Sequence, residues 1–204
     1  MYWLPARILV RNDYYCIVYA YDNDVFSPDS DRTIECLSAV RDGVLNEIRG
    51  LKAQGYQEFS IFGFSLGTMI AFMVADRSRD VGKIIVNLTS TDPAEAVWTW
   101  DHINVGFKQG LLEQHLTLDK LRRLWAPIAP VHNMSHLQGK QILIYLAKHD
   151  RLLPHEQAKE IVNLIRRAGY DFQVVINKYG GHTLAGIWNL INARIYLRFL
   201  KNKS

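Results

Sequence analysis

Ser65 stands in Gly63-Phe64-Ser65-Leu66-Gly67, between an apolar run that ends at Phe62 and a helical pattern from Leu66 to Asp76. A serine on so sharp a strand-to-helix turn is held in a strained backbone conformation with its hydroxyl exposed. The residues two before and two after it approach too closely for side chains. Gly63 and Gly67 meet that demand, and the arrangement is suited to a nucleophile.

A serine hydroxyl attacks poorly at neutral pH unless a base takes its proton and a third group fixes the tautomer of that base. Two downstream residues have the right types and places. Asp150 follows the apolar run Gln141 to Ala147, and His182 follows the run Phe172 to Tyr179 through Gly180-Gly181. If both runs are parallel strands, their C-terminal ends share one edge with the turn at Ser65, and the three side chains project into one crevice. The order Ser, Asp, His along the chain is the order that a strand-turn-helix nucleophile leads one to expect. Asp92, just past another apolar run, is the rival acid, and Asp150 also has a plain role in capping the turn toward Pro154. His149 is read as a neighbour without chemistry. His132 and His136 have the spacing of a helical metal pair, but Pro127 and Pro130 disfavour a helix and no third ligand accompanies them, so no metal is expected. The patterns Asn87-Leu88-Thr89 and Asn133-Met134-Ser135 match glycosylation acceptors and carry no weight, the first lying in an apolar run.

The elements that must position these groups alternate short apolar runs with longer helical patterns. That rhythm predicts an α/β fold, a mostly parallel sheet of about five strands with helices on its faces. The expected strands are Tyr15 to Tyr21, Glu58 to Phe62, Lys83 to Thr89, Gln141 to Ala147 and Phe172 to Tyr179. A long helix is expected from Asp31 to Ala53, with Ile34, Leu37, Val44, Leu45, Ile48 and Leu51 at helical spacing and Gly55 as its stop. Another opens at Pro154 and stops at Gly169, and a last one runs from Leu184 to Leu200. The stretch 91–136 breaks the rhythm. It holds Trp98, Trp100, Phe107 and Trp125, with Leu118, Leu121 and Trp125 on one stripe, and reads as a helical insertion within one domain spanning 1–204.

Composition narrows the function classes. The chain has 204 residues, 49% of them hydrophobic and 22% charged, which is the balance of a globular domain able to bury its own core. Its 24 basic and 20 acidic residues give a net charge of +4 that is spread along the chain, so no nucleic-acid partner is expected. Cys16 and Cys36 form neither a C-x-x-C pair nor a disulfide framework, pointing to a reducing compartment. No apolar run reaches bilayer length, and Tyr2-Trp3-Leu4-Pro5 lacks the basic and apolar regions of a signal peptide, so the expected location is cytoplasmic.

On the Gly63 to Gly67 motif, the placement of Asp150 and the placement of His182, the chain resembles the α/β-hydrolase superfamily. The resemblance implies Ser65 as nucleophile, His182 as general base and then acid, Asp150 as orienting acid, and the backbone N–H of Leu66 as an oxyanion donor. It implies that 91–136 is the cap, with Trp98, Trp100, Phe107 and Trp125 as a possible substrate pocket. A small or hydrophobic acyl ester or thioester would be the substrate, with no cofactor. Members normally begin with three further strands and an HG-type oxyanion loop, for which this sequence has no counterpart; Tyr2 to Arg11 looks like the helix after that loop. Two arrangements are then expected: Tyr15 to Tyr21 pairs directly with Glu58 to Phe62, or the chain is part of a longer polypeptide whose sheet is incomplete. The reading from another class is a non-catalytic hydrolase-like binding module.

Overall fold

A computed structural model describes residues 3–20, 25–99, 106–153 and 155–202. Four of the expected strands form: β1 (Phe59–Phe64), β2 (Val81–Asn87), β3 (Gln141–Ala147) and β4 (Asp171–Asn177). They lie in the order β1-β2-β3-β4, every pair parallel. Parallel neighbours need long crossovers. Here α3 (Gly67–Arg77) joins β1 to β2, a stretch holding α4 (Pro93–Trp98), α5 (Phe107–Glu113) and α6 (Leu118–Trp125) joins β2 to β3, and α7 (His155–Arg167) joins β3 to β4. Before the sheet come α1 (Trp3–Val10) and α2 (Ser30–Ala53); after it come α8 (His182–Ile191) and α9 (Ala193–Lys201).

Alternation along the strands assigns residues to two faces. Ile84, Val86, Ile142, Ile144 and Leu146 point to the larger core, which takes Leu37 and Ile48 of α2, the buried run Met69 to Ala75 of α3, Ile161 and Ile165 of α7, and Leu121 and Trp125 of α6. Ile85, Leu143 and Tyr145 point to a smaller core with Tyr196, Phe199 and Leu200 of α9, against which Ile8 and Leu9 of α1 pack. α2 starts where Asp29 accepts hydrogen bonds from the N–H groups of Asp31 and Arg32, satisfying two orphan donors of the first turn. It stops before Gly55, whose φ of 101° is open only to a residue without Cβ.

Two expectations are corrected. Residues 14–20 form no strand; Tyr21 lies outside the described residues. Tyr15 is 63% exposed, and its ring meets that of Tyr56 at 5.6 Å, but no ladder joins this segment to β1. A run rich in Ile, Val and Tyr favours an extended chain, whereas a strand exists only where a partner offers its backbone. The expected direct pairing with β1 therefore does not occur. The single helix expected from Leu184 to Leu200 is two, divided at Asn192, whose ψ of 64° leaves the helical region.

Candidate active site

The turn after β1 puts Ser65 at φ 50°, a left-handed conformation that an L side chain adopts only under constraint. The constraint is a set of hydrogen bonds. Ser65 N–H donates to the carbonyl of Asn87 at 2.9 Å, and the Ser65 carbonyl accepts from Thr68 N–H at 2.9 Å and from Thr68 Oγ1 at 2.6 Å. Gly63 is required by contact: a Cβ there would stand 2.5 Å from the carbonyl oxygen of Gly67, which opens α3. Leu66 follows Ser65 and leads into α3, so its N–H belongs to the unpaired first turn of that helix.

His182 is the first residue of α8 and Asp150 sits in the loop after β3. The ring Nε2 of His182 is 3.0 Å from Ser65 Oγ, and its Nδ1 is 2.7 Å from Asp150 Oδ2. The other carboxylate oxygen of Asp150 accepts from the N–H groups of Leu152 and Leu153, both at 2.9 Å, which fixes the carboxylate plane. The side chains are 10% exposed for His182 and 3% for Asp150, so the pair works largely out of water, where hydrogen bonds to a charged group are strong. With the Nδ1–H donating to the carboxylate, Nε2 keeps its lone pair toward Ser65 Oγ. The arrangement is able to draw a proton from the hydroxyl while stabilising the imidazolium that results.

The structure brings Ser65, His182 and Asp150 together and leaves Asp92 elsewhere. One Asp92 oxygen caps α4 by accepting from Glu95 N–H at 3.0 Å, and the other pairs with Arg122 at 2.5 Å. Among the described residues no group of three or more His, Cys, Asp or Glu is placed to hold a metal. His136 instead meets Asp76, its N–H donating at 2.9 Å.

Beside Ser65 lies a cavity of about 40 Å³ with a mainly apolar wall that includes Phe26, Leu66, Met69, Pro93, Val97 and Leu153. Of the aromatic residues expected as a pocket, Trp98, Phe107 and Trp125 do not line it. Trp125 is fully buried, stacks on the ring of Phe26 at 5.4 Å and donates its indole N–H to Ser30 Oγ at 2.9 Å, so it is the layer behind the wall. Phe107 is buried in the larger core, Trp98 is half-buried there with the Lys108 ammonium over its ring, and Trp100 lies outside the described residues. The amphipathic stripe says that a face is buried; it does not say against what.

Sequence reasoning missed three buried asparagines. Asn87 ends β2, Asn177 ends β4 and Asn189 lies in α8, and they are joined by side-chain hydrogen bonds. The available signal is an amide at the end of the apolar runs Ile84-Ile85-Val86 and Val174-Val175-Ile176, and another in the uncharged helix α8.

The model of the prolyl oligopeptidase family matches residues 45–203. No curated protein sequence matches the chain. Among solved structures it is similar to an acylaminoacyl peptidase from Pyrococcus horikoshii, with a TM-score of 0.62 and 15% identity over 83% of this chain and 28% of that one. It is also similar to an esterase from Pyrococcus furiosus, with a TM-score of 0.52 and 10% identity over 82% of this chain and 60% of that one. With dipeptidyl peptidase 4 from Porphyromonas gingivalis the TM-score is 0.51, at 16% identity over 69% of this chain and 19% of that one. At these identities the likeness is one of fold, and the chain spans 28% of the length of the acylaminoacyl peptidase.

Proposed function

The chain belongs to the prolyl oligopeptidase family, within the α/β-hydrolase superfamily, and on that premise we propose that it is a serine hydrolase cleaving a small or apolar carboxylic ester or thioester through an acyl-Ser65 intermediate. The observation that carries this reading is the hydrogen-bonded line from Ser65 Oγ through the ring of His182 to Asp150, at 3.0 and 2.7 Å. His182 Nε2 takes the hydroxyl proton as Ser65 Oγ attacks the acyl carbon. The tetrahedral oxyanion accepts from the Leu66 N–H, a contact realised only as charge develops. The intermediate collapses, the leaving alkoxide or thiolate takes the proton from His182, and Ser65 keeps the acyl group. Water then attacks with His182 as base, and the carboxylic acid departs as Ser65 regains its proton. Asp150 holds the imidazole tautomer throughout. The acyl substrate and one water are consumed and both side chains are regenerated, so the proposed reaction needs no cofactor.

A cavity of about 40 Å³ supports a short acyl group, since about 150 Å³ is what houses a benzene ring. We assign residues 91–136 as a helical cap within a single domain, shielding the crevice from water, and place the protein in the reducing cytoplasm with Cys16 and Cys36 as free thiols. Among the described residues no helix is long and apolar enough to cross a membrane.

The family match favours a second reading, a peptidase, in which the same groups act on an amide and His182 protonates a leaving amine. Labelling with a fluorophosphonate probe tests the nucleophile common to both. Label on Ser65 that disappears in Ser65→Ala is expected; a folded protein that takes no label, or takes it equally after Ser65→Ala, ends the proposal. Parallel turnover of p-nitrophenyl acetate and acetyl-amino-acid anilides then separates esterase from peptidase.

A further inference from the structure

The helix that begins with His182 has little apolar material holding it. In α8 the buried residues are Ala185, Gly186, Asn189 and Leu190. The opposite side exposes Leu184, Trp188 and Ile191 at 69, 63 and 54%. Gly186 lets the helix sit close, since a Cβ there would stand 2.5 Å from the ring of Phe64. Close seating fixes height above the sheet. It does not fix position along the helix axis, because apolar contact has no direction.

Directional contacts come from the asparagines. Asn87, fully buried, donates from Nδ2 to the carbonyl of Gly186 at 3.1 Å and accepts at Oδ1 from Asn189 Nδ2 at 2.9 Å. Asn189 Oδ1 accepts from Asn177 Nδ2 at 3.4 Å, and Asn177 Oδ1 accepts from the N–H of Tyr179 at 2.9 Å. The backbone carbonyl of Asn87 also accepts from Ser65 N–H, and that of Asn177 accepts from Lys148 N–H, both at 2.9 Å. The network therefore touches the turn of Ser65, the approach to Asp150 and the helix of His182. Buried amides are a poor source of stability compared with a well-packed aliphatic side chain, and what they supply is a fixed geometry.

Resting on the serine-hydrolase reading above, we propose that Asn87, Asn189 and Asn177 form a positioning ladder that sets His182 Nε2 at hydrogen-bonding distance from Ser65 Oγ. They are positioning residues and touch no substrate. A misplacement of about 1 Å costs roughly 10²-fold in rate, which sets the scale of the effect.

The test uses Asn189→Ala and Asn87→Ala in the full chain, with p-nitrophenyl acetate as substrate, at a temperature where circular dichroism shows every variant folded. A fall in kcat of roughly ten- to a hundredfold with KM nearly unchanged is expected. The double variant should lose no more than the worse single one, because both cut one device. The control is Asn133→Ala, which removes a buried amide bonded to Arg77, Pro127 and Ala129. It should lower Tm similarly and leave kcat alone. A readout free of turnover is the low-field proton resonance between His182 Nδ1 and Asp150, expected to persist in Asn133→Ala and to shift or broaden in Asn189→Ala. A folded Asn189→Ala with unchanged kcat, or with that resonance unchanged, overturns the ladder. If the unaltered protein neither turns over nor labels, the hydrolase reading falls and the resonance alone decides the ladder. If Asn189→Ala does not fold, Asn177→Ala takes its place with the same deciding results.

Discussion

On one face of the sheet, Ile84, Val86, Ile142, Ile144 and Leu146 meet a broad apolar layer drawn from α2, α3, α6 and α7. On the other, Ile85, Leu143 and Tyr145 meet a small cluster from α9, and α8 lies nearby on amides and small residues. The first face has the makings of stability, since burial scales with apolar area. The second carries His182, and its directional contacts are the buried asparagine amides and the Tyr196 hydroxyl, which donates to the carbonyl of Leu190. Stability and placement are thus divided between the two faces, and substitutions on each should fail in different ways.

The largest expected effect is on the broad face. Trp125→Ala removes a fully buried indole, its stack on Phe26 and its hydrogen bond to Ser30. A loss of about 3 to 5 kcal/mol is expected, read as a fall of about 6 to 20 °C in Tm. KM should move far less than Tm. A variant with unchanged Tm and raised KM makes Trp125 a substrate wall and erases the division.

That residue also marks how far the sequence could be read. The turn at Ser65 was readable because its demands are local: a left-handed φ and a contact at Gly63 are met or failed by the residues themselves. Asp150 and His182 were readable through one further step, that parallel strands end on one edge. Residues 14–20 misled because a strand requires a partner that no local pattern names. Asn192 misled because apolar periodicity runs on through the break between α8 and α9. Trp125 was readable as buried, but its partner, Phe26, is distant in sequence and carries no cue. The asparagines are not legible in the sequence, because a lone buried amide becomes meaningful only when its partners are known.

The next effect belongs to the narrow face. Burial pushes the Tyr196 hydroxyl up from 10.0 to about 12, and Tyr145 is raised further by its own burial and by Tyr196. Below pH 10 both tyrosines are neutral in folded and unfolded chains. Between pH 10 and pH 12 the unfolded chain ionises first, so stability falls; for Tyr196 the loss is about 2 to 3 kcal/mol. Lys140 pulls the other way. Its ammonium donates to the carbonyls of Ser78 and Val81, and burial lowers its pKa below 10.5, so stability rises with pH up to that value. Urea unfolding of the unaltered protein and of Tyr196→Phe across pH 10 to 12 separates the two, because Lys140 contributes equally to both. A shallower fall in the variant is expected; parallel curves locate the source elsewhere.

The smallest effect is where the charges are most crowded. Arg122 in α6 bonds Asp92 at 2.5 Å, Glu95 at 2.6 Å and Asp119 at 3.4 Å. The hydrogen bond to Asp92 is the chief reason its pKa is raised. The guanidinium side chain is nevertheless 40% exposed and that of Asp119 77%, so water and salt screen the network, and exposed pairs contribute about 0 to 1 kcal/mol. Arg122→Gln should therefore cost about 1 kcal/mol or less, and most of that should vanish in 1 M salt, where the screening length is about 3 Å. Asp92→Ala removes the cap of α4 as well, adding about 1 kcal/mol that salt does not abolish, since a cap is a short hydrogen bond to backbone. The pair of variants also weighs the two acids against each other. With Asp92 committed to α4 and Arg122, Asp92→Ala should leave kcat and its pH profile intact, while Asp150→Ala should remove the orienting carboxylate and most of the rate. A drop in kcat from Asp92→Ala matching that from Asp150→Ala shifts the orienting role from the loop after β3 to the segment after β2, and the geometry around His182 with it.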